Sequence, residues 1–166
     1  MNYIRITKEN IDKEHICCAM SGKQSVAKKE WLRQRFDDGL IFYRSEERGK
    51  CFIEYIPAEN AWVPIEADGY LYIDCLWVSG SMKGHGYSND LLEACIRDAK
   101  AQGREGICIL CAEGRKREFL ADPKFPLPAL RTQNTNTFLS LRFGITDACL
   151  QQIIRVSVSL HGAGYP

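Results

Sequence analysis

The sequence predicts an α/β fold: a mixed central sheet flanked by helices, with the last strands of that sheet missing or replaced. Three observations predict it. The first 60 residues read as a strand, two helices and a hairpin. Tyr70 to Cys111 reads as strand, glycine-rich loop, amphipathic helix and strand. From residue 126 onward the composition changes abruptly.

Asn2 to Thr7 alternates apolar and polar residues, which predicts a short strand. Asn10 is placed to cap a helix over about Ile11 to Ala19, stopped by Ser21-Gly22. Ser25 is placed to cap a second helix, with Ala27, Trp31, Leu32 and Phe36 near one face and Gly39 as its stop. Leu40 to Tyr43 and Cys51 to Ile56 flank the polar turn Glu46-Glu47-Arg48-Gly49 and predict an antiparallel hairpin. Pro57 to Asp68 is a loop. Tyr70 to Val78 is a nearly unbroken apolar run, the mark of a buried central strand.

After that strand comes Ser79 to Ser88, small and glycine-rich. A helix follows, with Leu91, Leu92, Cys95, Ile96 and Ala99 at helical spacing and Gly103 at its end. Gly106 to Cys111 is a further buried strand. The connection is long enough for a right-handed crossover, so these two strands are expected to be parallel.

The bulk properties bound the function. The chain has 166 residues, enough for one domain with a sizeable core. A net charge of +1 gives no electrostatic case for nucleic acid or an anionic membrane. No apolar run approaches the roughly 20 residues of a membrane-spanning helix. Met1 to Lys13 is polar and charged with no signal-peptide core, which makes the cytoplasm the expected compartment. Most of the eight cysteines lie in apolar runs and read as small buried hydrophobes. Cys108 and Cys111 have C-x-x-C spacing, but residues three apart on a strand face opposite ways, so no metal site is expected.

Residues 126–166 hold three arginines, one aspartate, no lysine and no glutamate. That leaves 19 of the 22 basic and 20 of the 21 acidic residues in the first 125, so charge density falls about threefold at the junction. We divide the chain accordingly into a domain over 1–125 and an atypical tail over 126–166. The tail reads either as a divergent end of the same domain or as non-native sequence, such as the product of a shifted reading frame, and composition favours the second. Leu150 to Leu160 reads as a strand or a short helix.

The chemistry sits in Lys83-Gly84-His85-Gly86-Tyr87-Ser88, between strand and helix. Glycines let backbone approach a ligand, and a helix N-terminus with its free N–H groups attracts an anion. A phosphate or pyrophosphate is expected there, with Lys83 adding charge and Ser88 a hydroxyl. The loop lacks the nucleotide-hydrolysing P-loop pattern. It is a poor dinucleotide fingerprint, because Asn89 stands where the third glycine belongs, although Glu113 loosely imitates the ribose-binding acid.

Leu76-Trp77-Val78 followed by Ser81-Met82-Lys83-Gly84-His85-Gly86 resembles the acetyl-CoA signature of the GNAT (Gcn5-related) N-acetyltransferases. The stretch from Asn2 to about Phe125 is similar to a bacterial subgroup, the YoaP-like acetyltransferases. Glu14 to Cys18, Arg48 to Asn60 and Phe119 to Phe125 carry that likeness. The resemblance implies the GNAT fold and acetyl transfer from acetyl-CoA, as co-substrate and without a metal, to a small-molecule or peptide amine. It implies cofactor contacts from Leu76, Trp77, Val78, Lys83, Gly84, His85, Gly86, Tyr87 and Ser88. Asp74 on the central strand and Glu54 on the hairpin are the candidate catalytic bases, with Glu66 and Asp68 as further options. Asp74 stands out because it interrupts an apolar run, where a charge needs a partner or a task.

Ser81 stands where the family carries Gln or Arg, leaving Lys83 to compensate. After Phe125 the family continues with a Gly-Phe turn and two final strands; here the text becomes Pro126-Leu127-Pro128. No acid for the leaving thiolate is assigned, since Arg115 to Phe125 lacks a tyrosine and Tyr87 is on the wrong helix. A degenerate, non-catalytic acyl-CoA-binding domain is therefore the alternative. A dangling tail would expose a sheet edge and lead to homodimerisation or aggregation.

Overall fold

The computed structural model describes residues 1–16, 22–48, 50–63, 65 and 67–112, and the backbone strands 129–131 and 136–142. Its strands form one seven-stranded sheet in the order β1-β2-β3-β4-β5-β7-β6. They are β1 (Tyr3–Ile6), β2 (Ile41–Ser45), β3 (Cys51–Pro57), β4 (Tyr70–Val78), β5 (Gly106–Ala112), β6 (Ala129–Arg131) and β7 (Asn136–Arg142). Helix α1 (Gly22–Asp37) precedes β2, and α2 (Tyr87–Ala101) joins β4 to β5. Every neighbouring pair is antiparallel except β4 and β5, which are parallel as the crossover requires. Among the described residues, no helix is long and apolar enough to cross a membrane.

The alternation of each strand feeds two separate cores. Ile53, Tyr55, Leu71, Ile73, Ile107 and Ile109 face α2 and pack on Leu91, Leu92, Cys95 and Ala99. Phe42, Ile56, Tyr70, Tyr72 and Cys108 face the other way, toward Leu32 of α1 and toward Ile11 and Ile16. Fully burying a leucine stabilises by about 1.5–3 kcal/mol, so the four buried residues of α2 fix that helix firmly. By contrast, α1 buries only Leu32.

Three expectations need correction, and a fourth, that the last strands are missing or replaced, is met by replacement. No helix forms over the described part of Ile11 to Ala19; residues 8–13 are turns, and Cys17 to Ala19 lie outside the described residues. The physical reason is the side chain of Asn10. It accepts from the Thr7 N–H at 2.8 Å and donates to the Arg5 carbonyl at 2.9 Å, so it closes a turn backward. Second, α1 begins at Gly22 rather than Ser25, and Ala27 is exposed; of the expected inner face, Leu32 is fully buried and Trp31 and Phe36 pack against the core partly buried. Third, the burial of β4 is broken: Tyr70–Ile73 and Val78 are buried, Asp74 is exposed and Cys75 to Trp77 are half-buried. Fourth, the place of the last strands is filled, because β7 pairs with β5 from Ala112↔Asn136 to Gly106↔Arg142 and β6 pairs with β7. The β5 edge is thereby covered, which removes the reason given above for a homodimer. Leu150 to Leu160 lies outside the described residues.

Candidate active site

Two irregularities in β4 shape the site. The first is its departure from β5. The two strands pair from Tyr70↔Gly106 to Ile73↔Ile109 and no further, yet β4 runs on to Val78 and β5 to Ala112. A notch opens between them. Leu76, Trp77 and Val78 line it with backbone that pairs with β3 on one side, opposite Ile53, Phe52 and Cys51, and with no strand on the other among the described residues. Backbone N–H and C=O groups left without a ladder need other partners.

The second irregularity is a bulge. Glu54 pairs with Cys75 and Tyr55 with Ile73, so Asp74 is the extra residue. A bulge re-aims side chains. Beyond it, Leu76 and Val78 stay on the α2 face with Ile73. Trp77 stacks on Phe52 at 6.0 Å on the α1 face, and Phe52 stacks on Phe42 at 5.3 Å.

Below the notch, a 3₁₀ turn, Gly80–Met82, leads into the glycine loop. Gly84 and Gly86 take φ of +81° and +79°, a left-handed conformation that disfavours any Cβ. A Cβ built on either would meet nothing within 4 Å, so both backbones border open space. Gly86 is the N-cap of α2 and supplies no side chain to cap it. This exposed cradle at a helix N-terminus fits a pyrophosphate. Lys83 and His85 are exposed beside it, and Tyr87 and Ser88 are half-buried. The His85 ring stacks on Tyr87 at 5.8 Å.

Glu54 is the buried carboxylate of the site, at 3% exposure. Its Oε1 accepts from Lys28 Nζ at 3.1 Å, while its Oε2 is buried without a hydrogen-bond partner among the described residues. Burial pushes the carboxyl up to about 7; Lys28 opposes the rise and neighbouring Asp74 reinforces it. Thus the expectation that Asp74 is the buried charge is corrected: at the bulge Asp74 is exposed, and Glu54, opposite the adjoining Cys75, is the buried carboxylate. Of the further options, Asp68 is exposed in the loop before β4, and Glu66 and Glu113 lie outside the described residues.

Lys28 is the functional candidate that sequence reasoning missed. Its signal was its spacing, three and four residues before Trp31 and Leu32 on the inner side of α1. The C-x-x-C reading ends at Cys108, which is buried in the α1-side core. Among the described residues, no group of three or more His, Cys, Asp or Glu side chains could hold a metal ion.

A strand that leaves its parallel neighbour over a glycine-capped helix sets unpaired backbone beside an anion cradle, and the comparisons place the chain in a family. Residues 9–117 match the Acetyltransferase (GNAT) family. The uncharacterized N-acetyltransferase YoaP of Bacillus subtilis strain 168 is 54% identical over 129 residues, which are 75% of this chain and 51% of YoaP. The chain therefore belongs to the GNAT acetyltransferase family, and it spans about half the length of this relative. Two solved structures share the fold. PaiA N-acetyltransferase of Thermoplasma acidophilum, in complex with coenzyme A, aligns with a TM-score of 0.58 and 11% identity over 86% of this chain and 100% of its own. A GNAT-family acetyltransferase of Staphylococcus aureus Mu50 aligns with a TM-score of 0.57 and 12% identity over 86% of this chain and 99% of its own.

Proposed function

We propose that the chain transfers an acetyl group from acetyl-CoA to an amine of a small molecule or peptide. The observation that carries this reading is the notch: β4 continues past its last pairing with β5 directly above the glycine cradle of α2. In this reading Lys83 to Ser88 receive the pyrophosphate. The free backbone edge of Leu76, Trp77 and Val78 bonds the pantetheine arm and aims one N–H at the thioester oxygen. A fixed donor where negative charge develops lowers the barrier by several kcal/mol. The coenzyme A complex of the PaiA relative supports a CoA thioester as donor.

The acceptor amine must be neutral to attack. Glu54 takes its proton through Oε2, and Asp74 sets the charge beside it. A base that titrates near 7 is ionised often enough at neutral pH and still strong enough to accept. The amine nitrogen forms a bond to the acetyl carbon, the C–S bond breaks, and the CoA thiolate leaves to take up a proton. The domain is that of residues 1–125, with the strands of the 126–166 tail as its closing edge. The supply of acetyl-CoA fits a cytoplasmic, bacterial setting.

The test is release of free CoA thiol from acetyl-CoA in the presence of a panel of amines, small and peptidic. Amine-dependent release that Glu54→Gln removes is expected. Acetyl-CoA binding with no transfer to any amine would instead support the non-catalytic acyl-CoA-binding reading.

A further inference from the structure

Glu54 leaves one of its two carboxylate oxygens without a hydrogen bond although the side chain is buried. A buried carboxylate is ordinarily satisfied at both oxygens. Here Oε1 is occupied by Lys28 at 3.1 Å, and the buried Oε2 has no hydrogen-bond partner among the described residues, while the neighbouring Asp74 carboxyl favours the protonated form of Glu54. Lys28 is itself clamped: its Nζ lies 4.0 Å from the centroid of the Trp31 ring, one turn further along α1. A cation between a carboxylate and an aromatic face has little freedom to reach the second oxygen. The charged or titratable groups that face Glu54 are Lys28 from α1, and Asp74 and Cys75 from β4. The strand on its other side, β2, presents Phe42.

We propose that Lys28 is the positioning residue of this site: held by Trp31, it occupies Oε1 of Glu54 and so keeps Oε2 as the face that exchanges a proton. The inference rests on the reading of Glu54 as proton acceptor. It adds that α1, anchored by Leu32 with Trp31 and Phe36 packed beside it, sets the state of that acceptor from outside the notch. Lys28 also opposes the rise that burial and Asp74 impose, so its removal drives the carboxyl further toward the protonated form.

The test follows the Glu54 carboxyl by carbon NMR across pH in the full chain, with Glu54→Gln used to assign its signal. Lys28→Met and Lys28→Arg are compared with the parent, and amide spectra verify that each is folded. Losing an opposite charge at this distance is expected to raise the Glu54 midpoint by about one pH unit or more in Lys28→Met. Lys28→Arg, which keeps the charge, is expected to restore most of it. The pH dependence of amine-dependent CoA release is measured on the same proteins. A rate limb that moves with the midpoint supports both claims. A midpoint that moves while the limb stays put upholds Lys28 as the setter of Glu54 and overturns Glu54 as base. An unmoved midpoint in folded Lys28→Met overturns the proposal and leaves the base assignment standing.

Discussion

The Tyr55 hydroxyl donates to Asp98 Oδ2 at 2.6 Å and so ties β3, which carries Glu54, to α2, which begins at the glycine cradle. Tyr55 is fully buried, and Tyr43 approaches the same carboxylate oxygen at 3.5 Å. Tyr55→Phe removes a charge-assisted hydrogen bond without changing the ring. It should cost about 1.5–3 kcal/mol, read as a lower urea midpoint with unchanged slope. A midpoint equal to that of the parent would show that Tyr43 or water replaces the bond.

The buried carboxyl makes stability depend on pH in a stated direction. Glu54 binds its proton more tightly when folded, at about 7, than its ordinary value of 4.5. Its contribution is therefore fully present below about 4.5 and is lost as pH rises toward 7. Over that window the parent should lose at most about 3 kcal/mol relative to Glu54→Gln. His15 and Glu59 are both lowered and act in the opposite sense, but equally in the two proteins. Urea unfolding of both at stepped pH checks this; parallel stability curves would place the Glu54 carboxyl outside the low-dielectric interior.

Asp74 is exposed beside Glu54, away from the glycine cradle. Asp74→Asn should slow amine-dependent CoA release while leaving acetyl-CoA affinity within about twofold, since a neutral neighbour weakens Glu54 as a proton acceptor. It should also lower the pH at which the rate limb begins. An unaltered rate and limb would remove Asp74 from the mechanism.

Leu32 is the one buried residue of α1. Leu32→Ala should cost about 2–5 kcal/mol if the site cannot collapse. It should also free Lys28 to leave Glu54, visible as an upward shift of the Glu54 midpoint in the folded protein. A large loss of stability with no shift would mean that α1 keeps its register through its surface ion pairs.

Much of this architecture was legible because the signals were redundant. The nearly unbroken apolar run of β4, the glycine loop and the 3.6-residue period of α2 each pointed to the same crossover unit. What escaped depended on side chains acting on backbone or on register. Asn10 looked like a forward helix cap, and its bonds to Thr7 and Arg5 run backward instead. Asp74 looked buried because its neighbours are apolar; it is exposed at a one-residue bulge, which leaves no mark in composition, and Glu54 is the buried carboxylate. Lys28 resembled any surface lysine of a helix, because its partner is 26 residues away. Strand β7 was hidden by the polar text at its start, where Asn136 and Thr137 pair with Ala112 and Cys111 in the ladder.

Thermal unfolding with and without saturating acetyl-CoA tests the central claim most directly, using Gly86→Glu as the control. A ligand at about 100 times its dissociation constant stabilises by roughly 2.7 kcal/mol when it binds only the folded state. We expect a clear rise in the midpoint of the parent. No rise is expected in Gly86→Glu, where a carboxylate at φ +79° enters the pyrophosphate cradle. A cooperative transition in the parent that acetyl-CoA leaves unmoved would contradict the notch and the glycine loop as an acyl-CoA site.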